Sequence, residues 1–257
     1  MNNLKGKKKP KNRDFIEIFG IHSVKAAIKN KKRNHEELVI SYTAEKIISQ
    51  KMRDSVKKIV KLNKNEFNKI YGNEKNHQGI ILKTSNLKQP SLDEILNSSQ
   101  KNKPEIIIML DQVTDPQNIG SILRSCALFN CKSIIISKDN APEINSTITK
   151  IASGAIEKVS YVKVTNFLRT INKFKKNNFW VYGLDNNIKN NNIDKFEFPK
   201  KCLFILGAEG KGLRQLTKKE CDDIISIPTN LLNEVDSLNV SNACSIILYE
   251  HFKKFEK

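Results

Sequence analysis

Apolar runs of strand length recur through the second half of this chain, and helical patterns separate them. The runs are EIIIML, SIIIS, VSYVKV, FWVYGL, CLFILG and DIISIP. The helical patterns cover Ile119–Phe129, Asn145–Ala155, Asn166–Lys176, Leu213–Cys221 and Leu238–Phe255. Strands that alternate with helices of this length are typical of a mostly parallel sheet with helices on both faces. We therefore predict an α/β domain over residues 104–257.

The part of the chain before this domain is organised differently. Residues 1–14 show no hydrophobic periodicity and predict a disordered basic tail. Residues 15–84 predict a small α/β domain. Its expected strands are FIEIFG, ELVISY and GIILKT, and its expected helices cover His22–Asn30, Ala44–Leu62 and Asn65–Tyr71. The polar residues 85–103 are expected to form a linker that holds one short helical turn.

The positive charge of the chain is unevenly distributed. The net charge is +18 over 257 residues. Residues 1–103 hold 24 Lys and Arg against 10 Asp and Glu, whereas residues 104–257 hold 21 against 17. A general drift of composition towards Lys and Asn would raise the positive charge of both parts of the chain alike. The asymmetry instead favours a nucleic-acid-binding front part joined to a nearly balanced back domain.

Other features of the sequence argue against several classes of protein. No apolar run reaches the length of a membrane span. The polar, lysine-rich N-terminus does not resemble a secretory signal, and although a mitochondrial presequence stays open, we expect a cytoplasmic protein without a membrane partner. The five cysteines form no C-x-x-C pair and the four histidines no i, i+4 pair. Buried thiols in a reducing compartment are therefore expected, and no metal site.

A first cluster of polar residues follows the run EIIIML and extends from Asp111 to Arg124. Asp115 and Pro116 predict the start of a helix. Gly120 within that helix costs about 1 kcal/mol relative to Ala, so we expect it to permit close backbone packing. Asn118 and Arg124 are expected near the exposed end, and Arg124 falls outside the apolar stripe of the helix. A capped helix with a surface arginine is the simpler alternative.

A second cluster follows the run CLFILG. It contains Gly207, Gly210 and Gly212, with Glu209 among them. Glycines at such a position allow a sharp turn and a close approach of the backbone to a flat ligand. The spacing matches neither a dinucleotide-binding loop nor a phosphate-binding P-loop. Taken alone, a structural turn explains this loop as well as a ligand site does.

A third cluster opens the last predicted helix. After Ile227 and Pro228 comes an irregular stretch, and Ser237, Asn239 and Ser241 then alternate with apolar residues. Capping a helix requires only one such polar residue. The additional polar groups therefore suggest a ligand site at the helix N-terminus.

In this order and spacing, the three clusters resemble the signature motifs of the SpoU, or TrmH, branch of the SPOUT RNA methyltransferases. The stretches Phe19–Lys25 and His77–Ile80 resemble the substrate-binding domain of the subgroup that methylates a guanosine ribose in large-subunit (23S-type) ribosomal RNA. The resemblance covers residues 15–255. It implies an S-adenosyl-L-methionine-dependent RNA 2'-O-ribose methyltransferase that forms a homodimer. It also implies a trefoil knot in the C-terminal domain and an RNA-binding fold in the front domain.

The resemblance also implies roles for individual residues. The backbone around Gly207, Ile227 and Leu238 would hold the adenosine part of S-adenosylmethionine. Arg124 matches the arginine regarded as essential. The polar set is completed by Asn118, Glu209 and Asn239. The segment Pro228–Asp236 departs from the family pattern, because it is slightly longer and carries Glu234 and Asp236 where small residues are usual.

The reaction requires that the RNA 2'-hydroxyl be positioned and lose its proton. A guanidinium is effectively always protonated, so we expect Arg124 to hold the adjacent phosphate rather than to act as the base. A phosphate oxygen or water would then take the proton. Two alternatives stay open: a transfer-RNA guanosine 2'-O-methyltransferase, and an RNA-binding protein with an inactive catalytic domain.

Overall fold

The chain divides into two units, up to Leu87 and from Lys88 onwards, in the computed structural model. The structure describes residues 15–72, 77–139, 141–185, 191–229 and 237–256. The predicted tail at 1–14 lies outside these residues, as do Glu234 and Asp236 of the unusual loop. None of the described helices is both long and apolar enough to cross a bilayer.

The first unit is a four-stranded sheet with helices. Its strands are β1 (Phe15–Phe19), β2 (His35–Ser41), β3 (Lys58–Leu62) and β4 (Ile80–Ser85). Its helices are α1 (Ile21–Lys29), α2 (Gln50–Arg53) and α3 (Lys64–Tyr71). The strand order is β1-β4-β2-β3, and only β2 and β3 run parallel. The small α/β fold predicted for this part of the chain is confirmed.

The prediction of one helix from Ala44 to Leu62 is wrong. The structure has a single turn of 3-10 helix at Glu45–Ile47, then the short helix α2, and then the strand β3. Ile59 and Val60 in β3 are β-branched and pair with Leu38 and Val39 of β2. Such residues favour the pleated surface of a sheet. The partner strand is distant in sequence, so the pattern within this segment does not reveal the pairing.

One row of residues across this sheet alternates in charge, and we call it the charge row. Glu17 is in register with Lys83, Lys83 with Glu37, and Glu37 with Lys58. The Nζ atom of Lys58 lies 2.6 Å from Oε1 of Glu37. Successive residues of a strand point to opposite faces. The flanking Ile18, Leu38 and Leu82 pack in one core with Val24, Ala27 and Ile28 of α1, so the charge row lies on the other face of the sheet.

The second unit contains a six-stranded sheet in which every pairing is parallel. Its strands are β5 (Glu105–Asp111), β6 (Ser133–Ser137), β7 (Ser160–Val164), β8 (Trp180–Leu184), β9 (Lys201–Gly207) and β10 (Asp223–Ile225). Its helices are α4 (Leu92–Ser98), α5 (Pro116–Leu128), α6 (Ser146–Ile151), α7 (Phe167–Lys176), α8 (Gln215–Glu220) and α9 (Val240–Phe255). The strand order is β10-β8-β9-β5-β6-β7. The predicted parallel α/β sheet is confirmed, and the trefoil knot stays a prediction.

Both faces of this sheet are buried. Along β5, Ile106 and Ile108 point into one core, which contains α5 and α9. Ile107 and Met109 point into the other, which contains α4 and α7. A strand that is covered on both faces needs apolar residues at consecutive positions, and this explains why the runs are continuous rather than alternating.

The segment 85–103, interpreted as a linker, belongs to the second unit from Lys88 onwards. Ser91 caps α4 by accepting a hydrogen bond from the backbone of Glu94, and the carboxylate of Glu94 accepts one from the backbone of Ser91. Ile95 and Leu96 are buried against the sheet. The helical turn expected in this segment is therefore a capped helix that covers part of one sheet face.

Candidate active site

Three loops of the second unit converge at the carboxyl edge of the sheet. They are the start of α5 after β5, the loop that follows β9, and the start of α9. Because β5 and β9 are parallel neighbours, their last residues, Asp111 and Gly207, lie side by side. The carboxyl ends of strands in open α/β sheets are where such folds bind ligands.

The loop after β9 folds back tightly on itself. The backbone nitrogen of Gly212 donates to the carbonyl oxygen of Ala208 at 2.8 Å. Gly210 and Gly212 have φ angles of +77° and +62°, in the left-handed region that favours glycine. A Cβ atom on Gly207 would lie 2.2–2.5 Å from backbone atoms of Gly212 and Leu213. Glycine at position 207 is therefore required by the returning backbone.

Asn118, Glu209 and Asn239, one from each loop, form a single hydrogen-bonded cluster. The Oε1 atom of Glu209 accepts from Nδ2 of Asn118 at 3.0 Å and from Nδ2 of Asn239 at 2.6 Å. Nδ2 of Asn239 also lies 2.9 Å from Oδ1 of Asn118. Three of the four residues predicted as catalytic are thus in mutual contact. Their bonds hold the three loops together, because each residue comes from a different loop.

Asn239 also caps α9. Its Oδ1 accepts hydrogen bonds from the backbone nitrogen of Ser241 at 2.9 Å and from the hydroxyl of Ser241 at 2.5 Å. The amide oxygen therefore caps the N-terminus of α9, and the amide nitrogen donates to Glu209 and Asn118. The capping role considered for this cluster is therefore present, whereas a ligand site at this helix N-terminus stays a prediction.

Beside this cluster lies a cavity of about 280 Å³. Its wall contains Leu184, Asp185, Leu206, Gly207, Ala208, Glu209, Gly210, Gly212, Ser237, Leu238, Val240 and Ala243. Gly207 and Leu238, predicted to hold a cofactor, are therefore in the wall. Ile227, the third residue of that prediction, is buried in the core and does not line the cavity.

Arg124 lies apart from the cluster. It is exposed on α5, and among the described residues no hydrogen bond or ion pair holds its side chain. It lies six positions after Asn118 on the helix, which corresponds to about 9 Å along the axis. Arg124 is therefore free to contact a ligand from solvent.

Hydroxyl groups tie α5 to α9 next to Arg124. The Oγ atoms of Ser125 and Ser245 are 2.7 Å apart, and Oγ of Ser245 donates to the carbonyl oxygen of Ser241 at 2.8 Å. Gly120 brings α5 close to α6, because a Cβ there would lie 2.7 Å from Cβ of Ile151. The helix that carries Arg124 is thus fixed on two sides, and the close packing expected at Gly120 is confirmed.

Asp185 is a cavity residue that the sequence reasoning missed. It follows β8, is buried, and forms an ion pair with Lys218 of α8. Its carboxylate reaches the cavity wall beside Gly212. The signal that could have found it is its place directly after the strand-like run FWVYGL, at the same sheet edge as the other clusters.

The same two regions match known protein families. Residues 105–249 match the family described as SpoU rRNA Methylase family, and residues 18–90 match the one described as RNA 2'-O ribose methyltransferase substrate binding. Similar proteins include the 23S rRNA (guanosine-2'-O-)-methyltransferase RlmB of Ralstonia nicotianae, 32% identical over 91% of this chain and 93% of the relative. RlmB of Coxiella burnetii is 34% identical over the same shares of the two chains.

The fold also agrees with a solved structure. The SpoU methyltransferase AviRb from Streptomyces viridochromogenes, in complex with the cofactor AdoMet, superimposes with a TM-score of 0.75. The sequence identity is 18%, over 95% of this chain and 94% of that one. With the family match over residues 105–249 and more than 30% identity to relatives over 91% of its length, this chain belongs to the SpoU rRNA methylase family.

Proposed function

We propose that this protein transfers a methyl group from S-adenosylmethionine to the ribose 2'-hydroxyl of a guanosine in large-subunit ribosomal RNA. The observation that carries the proposal is the contact between Asn118, Glu209 and Asn239 beside the cavity. Each of these residues comes from a different signature motif, and together they fasten the three loops around one cavity. The names of the relatives in Ralstonia nicotianae and Coxiella burnetii support the choice of substrate.

The cavity suits the proposed cofactor. Its apolar side chains, including Leu238 and Ala243, and the bare backbone at Gly207 offer a surface for a flat ring. Among the described residues of its wall, the ionisable ones are Asp185 and Glu209. Both are acidic, which suits a ligand that carries a positive charge. When bound, S-adenosylmethionine supplies a methyl group that its sulfonium makes electrophilic.

Arg124 is proposed to hold the RNA. Its guanidinium is exposed and unpaired among the described residues. A planar guanidinium binds a phosphate through two parallel hydrogen bonds. We assign it to the phosphate beside the target ribose, where it orients the 2'-hydroxyl, and a phosphate oxygen or water takes the proton.

We propose that the protein assembles as a homodimer and that it is located in the cytoplasm. Leu128 at the end of α5 and Tyr249 on α9 are among the exposed large apolar residues, 67% and 43% exposed. Phe129 joins them, with its ring centroid 6.0 Å from that of Tyr249. A second copy would cover this surface. Sedimentation at micromolar concentration should give a dimer mass for the wild type and a lower mass for Leu128→Glu, and a monomeric wild type would contradict the assembly.

The test of the activity is a map of 2'-O-methyl groups in cellular RNA with and without this protein. One guanosine in large-subunit ribosomal RNA should lose its methyl group when the protein is absent. The wild-type gene should restore it, and a gene with Arg124→Ala should not. Loss of a methyl group from transfer RNA instead would support the transfer-RNA alternative. An unchanged map, together with no methyl transfer by the purified protein, would support the other alternative, an RNA-binding protein with an inactive catalytic domain.

A further inference from the structure

The exposed side of α1 in the first unit is basic. His22, Lys25 and Lys29 follow the i, i+3, i+7 spacing of one helix face, opposite the buried Val24 and Ala27. No acidic residue occurs between positions 20 and 34 of the sequence. Among the described residues, no carboxylate pairs with either lysine. These cations are therefore available to an anionic partner.

An exposed aromatic residue lies at the end of the sheet where α1 begins. Tyr42 directly follows β2 and is 60% exposed. Since β1 and β2 are both antiparallel to β4, they run in the same direction and end at the same edge of the sheet. The chain enters α1 from β1, so Tyr42 and the first turn of α1 share that edge.

Hydrogen bonds connect these two places. The backbone nitrogen of Ser41 donates to the carbonyl oxygen of Gly79 at 2.8 Å. The next residue back, Gln78, accepts a hydrogen bond at Oε1 from the backbone nitrogen of Ile21 at 2.9 Å. The positions of Tyr42 and α1 are thereby fixed relative to each other. Glu45, the carboxylate nearest to Tyr42 in sequence, already pairs with Arg53 and Lys61.

We infer that His22, Lys25, Lys29 and Tyr42 form the surface of the first unit that binds RNA, and we call it the α1 face. Lys25 and Lys29 hold successive phosphates, and Tyr42 stacks on an unpaired base. The inference rests on the proposed function and deepens it, because it assigns the RNA to one face of this unit.

The physical properties of the surface suit RNA. Residues three or four positions apart on a helix are about 5–6 Å apart at Cβ, so flexible lysines can follow a phosphate backbone. Sequence-specific RNA recognition uses unpaired bases that stack on aromatic side chains. The opposite sheet face is less suitable, because Glu17 and Glu37 alternate with the lysines of the charge row.

The charge row supplies a matched control for the experiment. The double variant Lys25→Gln with Lys29→Gln removes two positive charges from the α1 face. The double variant Lys58→Gln with Lys83→Gln removes two from the charge row of the same unit. Lys29, Lys58 and Lys83 are exposed and Lys25 is partly exposed. Calorimetric binding of S-adenosylmethionine by each full-length variant checks that the protein is intact.

The readout is the affinity for an in-vitro transcript of large-subunit ribosomal RNA over a range of salt concentrations. Loss of two phosphate contacts should reduce the slope of log K against log salt by about 1.4–1.8 in the α1-face variant. The charge-row variant should keep the wild-type slope. Equal losses in both double variants would mean that only net charge matters and would overturn the inference.

Tyr42 is tested separately. Tyr42→Phe keeps a stacking ring and should retain the affinity, whereas Tyr42→Ala should weaken binding about tenfold, in line with the loss of one stacked base. Full affinity in Tyr42→Ala would overturn the stacking assignment. If no methyl transfer is found but RNA affinity still depends on the α1 face, the proposed activity fails and this inference stands. If methyl transfer occurs but RNA affinity does not depend on the α1 face, the proposed activity stands and this inference fails.

Discussion

The carboxylate of Asp111 accepts a hydrogen bond from the backbone nitrogen of Arg214, 103 residues further along the chain, at 3.2 Å from Oδ2. The same oxygen accepts from the hydroxyl of Thr217 at 2.8 Å. Asp111 is fully buried, and its Oδ1 lies 2.7 Å from Nε of Arg214, at ion-pair distance although not aligned as a hydrogen bond. Because Asp111 is also in register with Gly207, it fixes both ends of the loop that lines the cavity.

Asp111→Asn should weaken the binding of S-adenosylmethionine. The neutral amide loses hydrogen bonds to a charged acceptor, each of which contributes about 1.5–3 kcal/mol, and the loop end at Arg214 is released. We expect the KM for the cofactor to rise about tenfold and kcat to change less. Thr217→Val is the matched control, because it removes one of these bonds and keeps the charge. Its effect should be smaller, and an equal effect would contradict the role of the charge.

Gly207→Ala should abolish cofactor binding, because the added Cβ would lie within 2.5 Å of the returning backbone. Gly210→Ala in the same loop is the control. Its Cβ would have nothing within 4 Å, and only the positive φ angle opposes it, at a cost of about 1–2 kcal/mol. Calorimetry should therefore detect binding in the second variant and none in the first. Wild-type binding by Gly207→Ala would show that the loop can move aside.

Substitutions of Asn239 can separate its two hydrogen-bonding roles. Asn239→Asp keeps the oxygen that caps α9 but removes the amide donor and places a second carboxylate against Glu209. We expect the fold to persist and turnover to fall roughly 100-fold, a scale typical of losing a positioned polar group at an active site. Asn239→Ser also keeps a cap without the added charge and should be less impaired. Circular dichroism checks that both variants keep the fold, and initial rates compare their turnover.

Arg124→Ala should leave stability and cofactor affinity nearly unchanged. The side chain is exposed, and surface substitutions change stability by about 0.5 kcal/mol at most. Turnover should fall roughly 100-fold or more. Arg124→Lys keeps the charge but loses the planar fork, so partial rescue with an unchanged pH profile would support phosphate binding. A pH profile that moves towards the pKa of lysine would instead identify position 124 as the proton acceptor.

His251 should make stability depend on pH. It is buried beside Phe198 and Phe255, its Nε2 has no hydrogen-bond partner among the described residues, and burial lowers its pKa from 6.5 to about 4. The unfolded chain thus takes up the proton first as pH falls, so stability drops between pH 6.5 and 4, by on the order of 3 kcal/mol. Urea unfolding of His251→Leu should show a smaller loss over this window. Parallel curves for both proteins would exclude the assignment.

The sheet of the second unit could be predicted because burial on both faces forces continuous apolar runs such as those of β5 and β9. The helix predicted over Asn145–Ala155 was too long. The structure ends α6 at Ile151, because Ser153 and Gly154 take positive φ angles of 51° and 89°. Ser153 gives no sign of this in the sequence, since residues other than glycine rarely adopt such angles.

The site was predicted less completely. Periodicity and spacing bring each polar cluster to the end of a strand or the start of a helix, but the bonds from Glu209 to Asn118 and Asn239 join residues 91 and 30 positions apart. No local pattern encodes such contacts, and only the family resemblance grouped these residues. The exposure of Arg124 agrees with its predicted place outside the apolar stripe of α5. Its separation from the cluster was not predicted, because Asn118 and Arg124 were expected together near the exposed end.

The strand order has a consequence for how this unit is made. β9 lies in the middle of the sheet, between β8 and β5, yet it is synthesised after β5, β6, β7 and β8. Until residue 207 has left the ribosome, the facing edges of β5 and β8 stay unpaired, and exposed strand edges are sites of aggregation. Closing the sheet must therefore wait for one late strand to enter a gap between two earlier ones. Translation that stops before Lys201 should give a nascent chain that chaperones retain, and release to the protease-resistant state should begin only once β9 is complete.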